Sequence, residues 1–215
     1  SKDIPGENQI GGIIQDEEFL AKDIVEFVGQ PVAIVVADSQ LIAKEAARLI
    51  DVKVEKLPAI FNAREAANKN HLITSPRTFI FGNTEDCWAK CDYIIEGQAE
   101  SGAQEHLYLE TQSAIAYPVE GGGIKIISST QSPTTVQKIT ARILNLPMHK
   151  VEVDVLQIGG GFGGKEDQAT IWAAMAGLSA FKLKQPVKLI LPRQEDIRVT
   201  GKRHPYSSDF KIGLM

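Results

Sequence analysis

Val151-Glu152-Val153-Asp154-Val155-Leu156-Gln157-Ile158 runs into Gly159-Gly160-Gly161-Phe162-Gly163-Gly164-Lys165-Glu166, and an alanine-rich stretch follows to Leu183. Alternation of apolar and polar side chains predicts a strand over 151–158, and the alanine-rich run predicts a helix over 166–183. The glycines therefore sit where a strand ends and a helix begins. Five glycines in six residues exceed what a chain reversal needs, since each costs about 0.5–1 kcal/mol of chain entropy. Bare backbone at such a junction lets N–H groups face an anion, helped by the helix dipole.

Outward from that junction the pattern stays mixed. Strands are predicted at 93–99, 108–117, 124–128, 187–191 and 207–212, and a helix at 135–144 that ends before Pro147. Upstream, Pro31-Val32-Ala33-Ile34-Val35-Val36-Ala37 reads as a strand buried on both faces, and Asp38 and Ser39 offer an N-cap. Apolar positions 41, 42, 45, 46, 49 and 50 follow at helical spacing, and Asp51 to Lys56 alternates as a half-exposed strand. These three pieces predict a short β-α-β unit. A polar stretch with Ser75-Pro76 and Gly82-Asn83 reads as a linker, with a domain boundary near 75–90. The fold class expected is mixed, α+β or α/β, in two domains covering 1–80 and 81–215.

Composition narrows the function. Of 215 residues, 43% are apolar, which excludes wholesale disorder. With 23 basic against 27 acidic residues the net charge is -4, so no basic excess exists to hold nucleic acid. Cys87 and Cys91 are too few for a disulfide framework and lack partners for a zinc site. They are read as reduced thiols. The longest apolar run, Ile171 to Phe181, has buried-helix length rather than membrane-spanning length. The polar start shows no secretory segment, so a soluble chain in a reducing compartment is expected. Both ends read as untied, the first as mid-loop and the last straight after a strand.

Two phosphate motifs match part of the loop. Gly159, Gly161 and Gly164 satisfy G-x-G-x-x-G, but the acidic residue a dinucleotide site needs about 20 positions on is missing at the next strand end. Gly159 through Lys165 satisfies the front of a Walker A loop, yet Glu166 stands where Ser or Thr would ligate magnesium. A glycine-loop nucleotide-binding module remains the alternative from another functional class.

The octet 159–166 resembles the molybdenum-site loop of the xanthine dehydrogenase and aldehyde oxidase family. Gln104-Glu105-His106-Leu107-Tyr108-Leu109-Glu110-Thr111, Ser129-Thr130-Gln131, Arg193-Gln194-Glu195-Asp196 and Thr200-Gly201-Lys202-Arg203-His204-Pro205 resemble further blocks of that family, in the same order. Lys2-Asp3-Ile4-Pro5-Gly6 and Val28-Gly29-Gln30-Pro31-Val32-Ala33 resemble its small α/β hammerhead domain.

The resemblance implies a hammerhead domain over 1–80 and the first part of a molybdenum-cofactor-binding domain over 81–215. It implies molybdopterin as cofactor, with the metal held by the pterin dithiolene and by no protein ligand. Gln104 matches the glutamine that hydrogen-bonds the apical oxygen of the molybdenum, and Gly161, Phe162 and Gly163 match loop residues beside the cofactor. Glu166 matches the substrate-facing carboxylate of purine oxidisers. Glu110 and His106 are given no role.

The activity implied is hydroxylation of purines such as xanthine or hypoxanthine, or of related N-heterocycles, with oxygen from water. An aldehyde-oxidising member is the alternative within the family. The general-base glutamate is expected beyond residue 215, so no catalytic residue is assigned here, and the piece alone is expected to be inactive. FAD and 2Fe-2S clusters are expected in other domains or subunits of a dimeric cytoplasmic enzyme, without nucleic-acid or membrane partners.

Overall fold

The structure, a computed structural model, describes residues 2–215. In chain order its elements are α1 (Gln40–Arg48), α2 (Ala63–Asn68), α3 (Glu85–Trp88), β1 (Tyr93–Ser101), β2 (Ser113–Val119) and β3 (Gly123–Ser128). They continue with α4 (Pro133–Leu144), β4 (Val151–Asp154), α5 (Gln168–Leu183), β5 (Val187–Ile190), α6 (Arg193–Val199) and β6 (Tyr206–Leu214). The chain forms two compact units, each discontinuous in sequence. One comprises residues 2–52 with Glu105–Lys202, the other Lys53–Gln104 with Arg203–Met215.

The first unit is built on a four-stranded sheet of order β4-β3-β2-β5. β2 pairs antiparallel with β3 and with β5, whereas β3 and β4 are parallel. A parallel pair cannot be closed by a hairpin, and α4 supplies the crossover. Pro133 opens α4 at a position where a missing N–H costs nothing, and Asn145 closes it in the left-handed conformation (φ 53). β2 buries Ala114 and Ala116 while β3 buries Ile124, Ile126 and Ser128, the two-residue period of a half-covered sheet.

α5 packs on β2 and β3 and against α4. Every residue from Ala169 to Ala180 is buried, so this helix is covered all round and shows no polar stripe. Among the described residues no helix is long and apolar enough to cross a membrane. Ile4, Phe19 and Leu20 from the N-terminal segment join the same core. That segment also serves the end of α4, because Gly6 N–H and Glu7 N–H donate to the carbonyls of Ile143 and Arg142.

The second unit holds the antiparallel ribbon β1–β6, in register from Tyr93↔Leu214 to Ser101↔Tyr206. Arg64 on α2 grips Asp209 at 2.8 and 2.9 Å and Glu100 at 3.2 Å, which ties the short helix to the ribbon.

Several expectations need correction. The runs at 31–37 and 51–56 form no ladder among the described residues, although α1 between them forms with Ser39 accepting from Ile42 N–H. Extended chain becomes strand only when a neighbour takes its hydrogen bonds in a ladder, and here only the Pro31 carbonyl is taken, by Ala21 N–H at 2.8 Å; Val32 and Val36 stay 39% exposed. The strand expected at 108–117 begins only at Ser113, and that at 151–158 stops at Asp154. Residues 193–199, read as charged loop, form α6. Its start carries Pro192 as N-cap with Glu195 and Asp196 in the first turn, which favours a helix.

Candidate cofactor loop

Within the first unit, four separated stretches meet at the glycine loop. Its base is held by Glu110, whose Oε2 accepts from Gly159 N–H at 2.7 Å, Ser129 Oγ at 2.6 Å and Lys165 Nζ at 3.1 Å. Lys165 has no exposed surface; it also donates to Ser129 Oγ at 2.7 Å, and its ammonium lies 4.6 Å from the centre of the Tyr108 ring. Burial pushes the Lys165 ammonium below its ordinary range, and Glu110 opposes that shift. Burial likewise pushes against the Glu110 carboxylate, but its bonds from Ser129, Gly159 and Lys165 together hold it below the usual carboxylate range.

Gln131 reaches the loop from another side. Its Oε1 accepts from Gly163 N–H at 3.0 Å and Lys165 N–H at 3.2 Å, while its own N–H donates to Lys165 O at 2.8 Å. A Cβ at Gly161 would lie 2.4 Å from that Oε1, so position 161 admits no side chain without displacing Gln131.

A second buried network supports the first. Tyr108 Oη donates to Asp196 Oδ1 at 2.8 Å, and Gln112 N–H donates to Asp196 Oδ2 at 2.7 Å. Gln112 Nε2 bonds Tyr108 Oη and the Gly164 carbonyl, both at 2.9 Å. Burial and the Asp196 carboxylate push the Tyr108 phenol well above its ordinary range. Arg193, at the start of α6, caps the Tyr108 and Leu109 carbonyls at 2.6 and 2.7 Å.

On this base the loop tip points outward. Phe162 adopts a left-handed backbone (φ 52) and is 76% exposed, an arrangement that persists only where surroundings over-determine it. Gly163 (φ +90) could not carry an ordinary side chain without strain, and the nearest heavy atom to the Cβ it lacks is His106 Nε2, at 4.0 Å. Glu166 is exposed and donates its N–H to Gly163 O at 3.3 Å. The structure thus groups Gly161, Phe162, Gly163 and Glu166. Gln104 belongs to the other unit, where it exchanges backbone hydrogen bonds with Arg203 at 3.1 and 2.9 Å.

Lys165, Glu110, Gln131, Tyr108 and Asp196 were not singled out as site residues from the sequence. Their one signal was membership of the ordered blocks, since their contacts span tens of residues. The phosphate alternative fails on Lys165. A Walker lysine must reach a phosphate, and this one is enclosed and committed to Glu110 and Ser129.

The profile of the molybdopterin cofactor-binding domain matches residues 64–215. The chain belongs to that family. Residues 1–58 match the a/b hammerhead domain of aldehyde oxidase and xanthine dehydrogenase. A xanthine dehydrogenase of Oryza sativa subsp. japonica is 45% identical over 218 residues, all of this chain and 16% of that protein. Aldehyde oxidase 2 of Cavia porcellus is 37% identical over 217 residues, again covering all of this chain and 16% of the relative. The chain therefore spans about one sixth of the length of these relatives. Among solved structures, the aldehyde oxidoreductase of Desulfovibrio gigas superposes with a TM-score of 0.87 at 26% identity, over 99% of this chain and 25% of that one.

The loop of this molybdopterin-domain member suits a polar, oxygen-bearing group. The N–H groups of Gly160, Gly161 and Phe162 have no acceptor among the described residues, whereas that of Gly163 is committed to Gln131. Unpaired donors on an exposed loop with bare Cα positions are what such a ligand requires.

Proposed function

We propose that this chain forms one wall of the active site of a molybdenum hydroxylase acting on purines such as xanthine or hypoxanthine, or on related N-heterocycles. The observation that carries this reading is the exposed residue Glu166, one turn beyond the exposed Phe162 ring on a loop anchored from beneath. A carboxylate there can hydrogen-bond a heterocycle's ring nitrogen and steady charge that shifts through the ring during reaction. The Phe162 ring offers the flat apolar face against which such a substrate stacks.

The backbone of Gly161, Phe162 and Gly163 would hold the pterin group. The amide donor to the apical oxygen would be Gln104, the residue that the ordered sequence blocks mark for that role. Gln131, whose Oε1 is occupied by the N–H groups of Gly163 and Lys165, would hold the loop in shape from beneath. When bound, the molybdenum cofactor accepts two electrons and supplies oxygen that originates in water. Residues 1–80 would be hammerhead and 81–215 the first part of the cofactor domain. FAD, 2Fe-2S clusters, the general-base glutamate and a dimer contact would belong to other regions of a cytoplasmic enzyme.

Aldehyde oxidation is the second reading, favoured by the similarity to the guinea-pig and Desulfovibrio proteins. The complete enzyme separates the two. Glu166→Ala is expected to lower kcat/KM for xanthine about 100-fold while sparing aldehydes, the loss of one oriented polar contact to the reacting ring. A wild-type enzyme that turns over aldehydes but no purine would sink the purine assignment.

A further inference from the structure

Lys165 and Glu110 stand out as charges that the proposed chemistry does not use. Desolvating an ammonium costs several kcal/mol, which its pairing must repay, and an apolar side chain of similar volume often serves stability as well or better. The position of this pair suggests what it provides. Gly159 opens the loop and Lys165 closes it, and a single oxygen, Glu110 Oε2, accepts from both. Ser129 Oγ completes the junction by bonding Glu110 and accepting from Lys165. The two ends of the loop are therefore pinned to one atom. Between them Phe162 holds a left-handed backbone that a loosely tethered chain would leave. The Lys165 stem cannot shift to relieve a distortion, because Tyr108 lies over its ammonium and is itself fixed by Asp196.

We propose that Lys165 and Glu110 are a positioning pair, a clasp of one buried and one half-buried charge that closes the glycine loop at its base and sets where Phe162 and Gly163 stand against the bound pterin. This rests on the reading that the loop holds that group. The pair acts through the loop backbone and touches no ligand itself. An ionic clasp suits the task because it demands a defined geometry, whereas an apolar plug would leave Gly159 N–H unpaired and the loop ends free to slide.

The test compares the complete wild-type protein with Lys165→Met and with the double variant Lys165→Met/Glu110→Gln, by hydrogen–deuterium exchange and by pterin retained through gel filtration. In both variants, peptides covering 159–165 are expected to exchange about tenfold faster or more, while those of α5 keep their protection. Both should also lose most of their pterin. The double variant also removes the half-buried carboxylate left without its partner, so its thermal stability should recover towards wild type. Loop protection and pterin retention should not recover with it. If Lys165→Met alone does not accumulate, the double variant carries the comparison. A double variant with wild-type loop exchange and full pterin content would reduce the pair to a structural role and overturn the proposal. A wild-type protein without pterin would instead defeat the functional reading, and the exchange data would still decide whether the clasp orders the loop.

Discussion

The two units contain strands of similar residue types and reach opposite states. In the first, β2 and β3 lie under α5, and the sheet has a covered face lined by Ala114, Ala116, Ile124 and Ile126. In the second, β1 and β6 make a longer ladder, nine residues each, yet no residue of the whole unit is buried. Tyr93, Ile94, Ile95, Phe210, Ile212 and Leu214 are all exposed on that ribbon. Hydrogen bonding alone thus gives register without a core. A two-stranded ribbon is marginal by itself, and removal of apolar surface from water is what stabilises a layer.

The contrast makes its largest prediction in the core. Ile126→Ala, at a fully buried position between sheet and α5, is expected to cost about 2–5 kcal/mol in chemical denaturation. Phe210→Ala on the ribbon should cost under about 1 kcal/mol. Equal costs would mean that the ribbon is as well packed as the sheet.

The next effect separates buried from exposed carboxylates. Asp196 is fully buried and accepts from Tyr108 Oη and Gln112 N–H, so Asp196→Ala strands two donors and should cost about 1–3 kcal/mol. Asp209, gripped by Arg64 on the ribbon, is screened by solvent, and its replacement should leave the melting of the first unit unchanged. A matching loss from Asp209→Ala would contradict the division.

The smallest effect is read by acid and salt together. Glu110 in the first unit and Asp209 in the second both have folded pKa values held below their ordinary 4.5 and 3.8. For a depressed carboxylate, the unfolded chain binds the proton first as pH falls. The stabilising contribution is present above the ordinary value and disappears as pH drops through the folded one. Exchange protection of the 159–165 loop should therefore weaken below pH 4.5, and Glu110→Gln should flatten that dependence. Raised salt should weaken the Arg64–Asp209 tie more than the less exposed Lys165–Glu110 pair. Equal salt sensitivity would erase the difference between the regions.

Local pattern made much of the fold legible. β1, β3, α4, α5, β5 and β6 all appear near their expected places, because each depends on periodicity and caps within a few residues. The pieces at 31–37 and 51–56 failed for the complementary reason. Their composition suits a strand, but a strand also needs a partner, and no local pattern states whether one is present. α6 was misread because its charges looked like loop chemistry, although Pro192 and the first-turn acids were a start signal.

For the site, the glycine run was visible from its own composition, and the family could be recognised from blocks in a fixed order. The supports of the loop were not visible in the same way. Lys165 meets Glu110 across 55 positions, and Tyr108 meets Asp196 across 88. Neither distance leaves a periodic trace. Sequence alone therefore established a strand–glycine–helix junction, an element order and membership of the molybdopterin-domain family, since these depend on neighbouring residues and ordered motifs. Folding in three dimensions settled that Lys165 turns inward rather than to a phosphate, that Gln131 accepts from the loop N–H groups, and that one carboxylate oxygen holds both loop ends. Burial and long-range hydrogen bonding made those choices, and they exist only once distant segments have packed together.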